Sequence, residues 1–229
     1  MCFSAEASFI LGGALVPAGA YAIAKTRQAG PEWLPFAIYP LAFGIQQVFE
    51  GIVWLAFENG DAATLAWSSR GFLFFSHFFW LAWVPISVWR LEPDPKRKRM
   101  ASILAVFGFL FGLSLFLPSF LIGEWLRVEV VNRSLDYKTT LVYQDPISRT
   151  VLRVIYAIII LSALFISSNR RIRIFALMIA VSVGATYLFF AYAFISVWCF
   201  FAAGLSAYLA WVVQQEAQAV SPSAARARG

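Results

Sequence analysis

From Ile174 to Val213 the chain carries no charged side chain, and that stretch is about twice the length one helix needs to cross the hydrocarbon of a bilayer. Shorter runs of the same kind recur throughout. Hydrophobic residues make up 61% of the 229 and charged residues 13%, so the helices lack the polar faces that a soluble helical core would turn to water. The runs are also too long, and too poor in period-two alternation, for barrel strands. The fold class expected is an all-α integral membrane protein with seven transmembrane helices, at about 6–24, 33–57, 68–89, 101–123, 151–168, 173–190 and 191–213. The last two are separated only by an aromatic turn near Tyr187 to Tyr192. The first run has no basic leader and many spans follow it, so it reads as a span and not as a cleaved signal.

Lys and Arg counts in short loops set the expected orientation. Lys25 and Arg27 follow the first span, Arg90 and Lys96 to Arg99 the third, Arg170, Arg171 and Arg173 the fifth, and Arg226 and Arg228 end the chain. With seven crossings these fall on one side. The N-terminus is then outside and the C-terminus cytoplasmic, as in a multi-pass protein of the cell inner (plasma) membrane. The same asymmetry accounts for the net charge of +6, so no nucleic-acid partner is implied. Residues 1–215 read as one seven-helix domain with an outer loop at about 123–150, and 216–229 as a flexible cytoplasmic tail. The aliphatic and aromatic residues of that loop favour an ordered hairpin over the helix ends, with strand propensity at Thr139 to Tyr143. Gly12, Gly13, Gly44, Gly51, Gly184 and Gly204 are read as sites of close helix packing.

Against this apolar background Glu50 and His77 stand out as ionisable groups deep in predicted spans, where such residues tend to mark function. At 1.5 Å per residue Glu50 lies roughly 10 Å, and His77 roughly 14 Å, from the same end of their helices, compatible with direct contact around an outer-leaflet cavity. Gln46, Glu50 and Trp54 follow each other at i, i+4, i+8 on one helix face, and Gln47 adjoins it. Ser4 is a candidate helix cap and Glu6 belongs to the favourable first turn. Cys2, Glu50, His77 and Cys199 form an acceptable donor set for Zn²⁺, with Glu6 as substitute ligand or base. A chain with one histidine disfavours multi-histidine zinc, diiron or bis-histidine haem sites. If Met1 is removed, Cys2 offers a thiol beside an α-amine, usable in acyl transfer.

The opening Met1-Cys2-Phe3-Ser4-Ala5 and the later Gln46-Gln47-Val48-Phe49-Glu50-Gly51 resemble an uncharacterised family of bacterial multi-span membrane proteins that begin Met-Cys-Phe-Ser-Ala. The resemblance implies an integral membrane protein and brings no reaction or ligand; Cys2, Ser4, Glu6, Gln46 and Glu50 carry over as candidate family features. Three classes of function are then expected. The first is a membrane enzyme, a metal- or thiol-dependent hydrolase or acyl-transfer enzyme acting on a lipid-like substrate. Its catalytic residues are Glu50 as metal ligand or base, His77 as ligand or proton carrier, and Cys2 as ligand or nucleophile. The second is a proton- or cation-coupled transporter or channel through the same pair. The third is a non-catalytic binding or structural protein held by a Glu–His lock.

Overall fold

The computed structural model describes residues 4–122, 125–139 and 149–226, the last six of these as backbone alone. Helix starts follow local chemistry. The Ser4 hydroxyl accepts from the Ala7 amide at 3.3 Å and opens α1 (Ala5–Ala29), which ends at Gly30 with φ of 114°. A 3-10 turn over Pro31–Trp33 leads into α2 (Leu34–Glu58). Asp61 caps α3 (Ala62–Leu73) through the Thr64 amide, and Asp94 caps α5 (Pro95–Phe116) through the Arg97 amide. Between α3 and α4 (Trp80–Leu91) the backbone does not break but widens into a π-helical turn, Phe74–Phe79, which contains His77. The short α6 (Pro118–Leu121) follows α5, and then come α7 (Arg149–Ile166), α8 (Arg170–Phe190) and α9 (Phe194–Arg226).

Small residues bring the helices together. A Cβ on Gly19 would lie 2.3 Å from the Leu41 amide nitrogen, one on Gly12 3.0 Å from the Gly44 carbonyl oxygen, and one on Gly108 2.1 Å from the Leu81 carbonyl oxygen. Thus α1 packs antiparallel on α2, and α5 on α4, at backbone contact. Gly13, Gly184 and Gly204 do not share this role, since a Cβ there meets nothing within 4 Å. The inner core runs through Trp33, Phe36, Tyr39, Phe43, Trp80 and Phe175. Outward-facing Leu188 and Phe189 are 76% and 72% exposed, the reverse of a soluble protein, because acyl chains are their solvent.

The described residues hold six helical segments long and apolar enough to cross a membrane, not seven: Ala5–Ala29, Pro31–Glu58, Ala62–Leu91, Pro95–Leu121, Arg149–Ile166 and Arg170–Val220. The last run forms one segment and not two spans, because α8 passes through a short 3-10 turn into α9 with no non-helical residue between them. The chain bends through a 3-10 turn at Ala191–Ala193 and stays helical throughout. The two arms lie side by side: Arg171 pairs with Glu216 at 2.9 Å, Tyr208 stacks on Phe175, and the Tyr208 hydroxyl donates to the Arg171 carbonyl. An outward N-terminus and cytoplasmic C-terminus rested on seven separate crossings, and six do not carry that assignment. α9 continues to Arg226, through the stretch read from sequence as a tail.

A hairpin does stand over the helix ends, earlier than the residues with the strongest strand propensity. β1 (Leu126–Val131) pairs antiparallel with β2 (Ser134–Thr139), and Asn132 and Arg133, at φ of 48° and 59°, make the left-handed turn whose twist suits a two-residue hairpin. Residues 140–148 lie outside the described residues. The hairpin is anchored by a second core of Val53, Phe72, Leu73, Trp125, Leu135 and Tyr137, with Tyr137 stacked on Phe72 at 4.9 Å.

Replacing Gly108 by valine should destabilise the detergent-solubilised protein by about 1–3 kcal/mol through overpacking against Leu81. Gly184→Ala, in open space on α8, should leave the unfolding midpoint unchanged or raise it. Thermal unfolding of the two variants side by side checks this, and equal losses would refute the packing account.

Candidate functional site

α2 carries its polar residues on the face turned into the bundle. Gln46, Gln47 and Glu50 are all fully buried. The Trp80 indole donates to Gln46 Oε1 at 2.8 Å, the Gln47 amide donates to Glu50 Oε2 at 3.1 Å, and the Ser196 hydroxyl of α9 donates to Glu50 Oε1. Cys199, one turn beyond Ser196, lies beside Gln46 and Glu50. Glu50 is thus held between two helices by neutral donors. Among the described residues no ion pair or hydrogen bond joins it to His77, so the expected Glu–His lock is absent. The two residues bond to different partners, Glu50 to Gln47 and Ser196 and His77 to Ser76.

His77 points elsewhere. The π-turn gives its ring to a cavity of about 80 Å³, enough for a few waters or one small oxyanion. Gly112 lets α5 approach that turn, since a Cβ there would lie 3.1 Å from the His77 carbonyl oxygen. The Ser76 hydroxyl bonds His77 Nδ1 at 3.1 Å, and the Trp125 ring stands edge-on to the imidazole at 6.3 Å. Tyr137 and Thr139 of β2 form the roof, and Trp198 and Cys199 of α9 one wall. Cys199 therefore separates the cavity from Glu50.

The opposite wall is α7, which contributes Arg149, Arg153 and Tyr156. Arg149 and Arg153 are one turn apart on the same face, so both reach the cavity mouth. Each spends one donor on a backbone carbonyl, Arg149 to Thr139 at 3.0 Å and Arg153 to Ala191 at 3.3 Å. Neither has a carboxylate within ion-pair distance among the described residues. The nearest influence is Asp136 on β2, whose carboxyl is pushed above its usual range by partial burial, against the pull of Lys138, Arg149 and Arg153.

Among the described residues no three His, Cys, Asp or Glu side chains converge in a metal-ligand arrangement, so the expected description as a metal-binding hydrolase finds no support there; the zinc set of Cys2, Glu50, His77 and Cys199 includes a residue that is not described. Glu50 is bonded to Gln47 and Ser196 and His77 to Ser76, while Cys199 lines the cavity with His77 and lies near Glu50. Cys2 lies outside the described residues. Ser4 and Glu6 serve the start of α1, and Trp54 belongs to the core under the hairpin. Sequence reasoning missed Ser196, Tyr156, Trp198 and the arginine pair. The last had a signal: Arg153 lies inside the apolar run 151–168, four residues after Arg149.

Residues 1–225 match the sequence model of a family of unknown function, DUF6629. The chain belongs to that family. No curated protein and no solved structure matches it. The resemblance carried by Met1 to Ala5 and Gln46 to Gly51 pointed to an uncharacterised membrane family, and DUF6629 membership agrees at that level while bringing neither a source nor a reaction. For this DUF6629 chain the site rests on its own geometry.

Glu50→Gln preserves shape and can keep both bonds, its oxygen accepting from Gln47 and its amide donating to a Ser196 hydroxyl turned to accept, whereas Glu50→Ala strands the Gln47 amide and the Ser196 hydroxyl. The alanine variant should lose about 1–3 kcal/mol more stability than the glutamine variant. Chemical denaturation in mixed micelles measures the difference; equal stabilities would show that the α2–α9 bonds contribute nothing.

Proposed function

We propose that this multi-span membrane protein binds the anionic head of a lipid-like molecule in the cavity beneath its hairpin. The observation that carries the reading is the pair Arg149 and Arg153, lining that cavity without a carboxylate partner among the described residues. Guanidinium groups at the edge of hydrocarbon are costly unless hydrated or paired, and their forked donors suit a carboxylate or phosphate. Each has donors left after its carbonyl bond. His77 and Ser76 at the floor add polar atoms that a bound oxyanion or its water could use. The tight fit, about 80 Å³, favours a compact head over a sugar or nucleotide.

A second reading, proton-coupled movement of the same ligand, is favoured by Glu50, a buried carboxyl with neutral partners one side chain behind the cavity wall. It requires flux across a membrane, which liposome assays of Glu50→Gln would register.

In nanodiscs of zwitterionic lipid, hexyl phosphate should bind and hexyltrimethylammonium should not. Arg149→Gln and Arg153→Gln should each weaken hexyl phosphate by about tenfold, one charge-assisted contact apiece. Saturation-transfer magnetic resonance reads the binding, and arginine variants that bind like the parent protein would sink the proposal.

A further inference from the structure

The end of the bundle opposite the hairpin has its own chemistry. Four stretches meet there around a space of about 390 Å³: Glu32 and Trp33 before α2, Leu91 and Glu92 after α4, Ser168 and Asn169 before α8, and Glu216 of α9. Most acidic groups of this end are committed to the chain itself. Glu92, 2% exposed, accepts from the Ser168 amide at 2.7 Å and the Ser168 hydroxyl at 2.6 Å; Asp94 accepts from the Arg97 amide, and Glu216 pairs with Arg171. The Arg97 guanidinium donates to the Ile166 carbonyl at 2.9 Å. The connection into α5 and the connection into α8 are thereby held together.

The basic groups are left over. Lys96, Lys98 and Arg99 of α5 and Arg170 and Arg173 of α8 have no carboxylate within ion-pair distance among the described residues. Helix chemistry does not favour them where they stand. The start of a helix is the positive end of its dipole and prefers carboxylates, yet α5 and α8 both open on cations with no acidic residue in the first turn. Two such helix starts, close together, make a positive field that draws a negative partner from outside the chain. At the hairpin end charges of both signs stand together, Lys138 on Glu129 among them.

Aromatic rings beside the cations identify the partner. Lys25 Nζ stands 5.4 Å from the centre of the Tyr21 ring, Lys98 Nζ 5.2 Å from that of Trp89, and the Arg171 guanidinium 5.9 Å from that of Trp211. These rings, on α1, α4 and α9, are 46%, 41% and 48% exposed. An exposed Tyr or Trp near the end of a membrane helix settles between headgroups and acyl chains, and a cation beside it reaches toward the phosphates. A nucleic acid or an acidic protein would engage the cations and leave the rings unused. We propose that this end of the bundle binds anionic phospholipids of the surrounding leaflet, with their phosphates against Lys25, Lys98 and the free cations of α5 and α8 and their glycerol groups against Tyr21, Trp89 and Trp211. The surface lies apart from the cavity beneath the hairpin and needs neither Arg149 nor Arg153.

The test places the full chain in phosphatidylcholine vesicles with spin-labelled phosphatidylglycerol or spin-labelled phosphatidylcholine as the probe. Electron paramagnetic resonance reads the fraction of each probe immobilised by the protein. Phosphatidylglycerol should be preferred about fivefold, the effect of roughly one cation near a charged headgroup. The preference should fall in about 1 M salt, where charges are screened beyond about 3 Å. Lys25→Gln, Lys98→Gln, Arg99→Gln and Arg173→Gln combined should bring the ratio close to one with the thermal unfolding midpoint unchanged, whereas Lys25→Arg with Lys98→Arg should keep it. Tyr21→Leu with Trp89→Leu should lower it about twofold. Arg149→Gln with Arg153→Gln should leave it at the parent value. Equal immobilisation of the two probes by the parent protein, or a preference that survives the fourfold neutralisation, overturns the proposal. A preference lost only with Arg149 and Arg153 assigns the lipid to the cavity and overturns it too. Suppression by free glycerol phosphate at the same concentration as the lipid would make the partner a soluble anion and not a leaflet lipid.

Discussion

A carboxyl group inside hydrocarbon must find donors within the protein, and the arrangement of α2 and α9 answers that requirement at Glu50. One donor, Gln47, comes from the same helix; the other, Ser196, comes from 146 residues away in sequence. The Ser196 bond fixes the height of α9 against α2. α1 closes the group of three, because its glycines and alanines permit backbone contact with α2 and its buried face also meets α9. With α9 fixed in height and rotation, Trp198 and Cys199 face the interior and Phe201 faces lipid.

The second device is the π-turn. An extra residue in the turn rotates the helix beyond it, so Ser76 and His77 are buried while α3 and α4 continue as one membrane-long segment. The aromatic residues around it, Phe74, Phe75, Phe78 and Phe79, pack on Phe116, Phe49, Phe109 and Trp83 and hold the irregular backbone away from lipid. The hairpin then covers the His77 side of the bundle end through Trp125 and Tyr137. Cavity, roof and guanidinium pair are thus consequences of three separate elements meeting: a widened helix, a two-stranded cap and the first turns of α7.

Glu50 and the cavity are neighbours through Cys199, which faces both. A change at either place is therefore one side chain from the other. That adjacency gives physical content to the idea that occupancy of the cavity and the state of Glu50 influence each other, without a direct bond between His77 and Glu50.

Composition and run length alone determined that this chain is helical and membrane-embedded, because hydrocarbon allows only helices or closed barrels and these runs are too long and too poor in alternation for barrel strands. Helical spacing also put Gln46, Glu50 and Trp54 on one face of α2, since 3.6-residue periodicity is a local property. Caps at Ser4, Asp61 and Asp94 are local as well; the first was legible from its hydroxyl and the acidic residue after it. The tertiary structure alone decided what those faces meet. Equal depth made His77 and Glu50 candidates for contact, but rotation about the helix axis, set by the π-turn, sends the imidazole toward Trp125 and α7. Ser196 is one serine among many in the sequence, and only the approach of α9 makes it the partner of Glu50. The run from Ile174 to Val213 contains no charge or proline to announce its bend, so whether it forms separate helices or one folded segment depends on contacts such as Arg171 with Glu216, which join residues far apart in the chain.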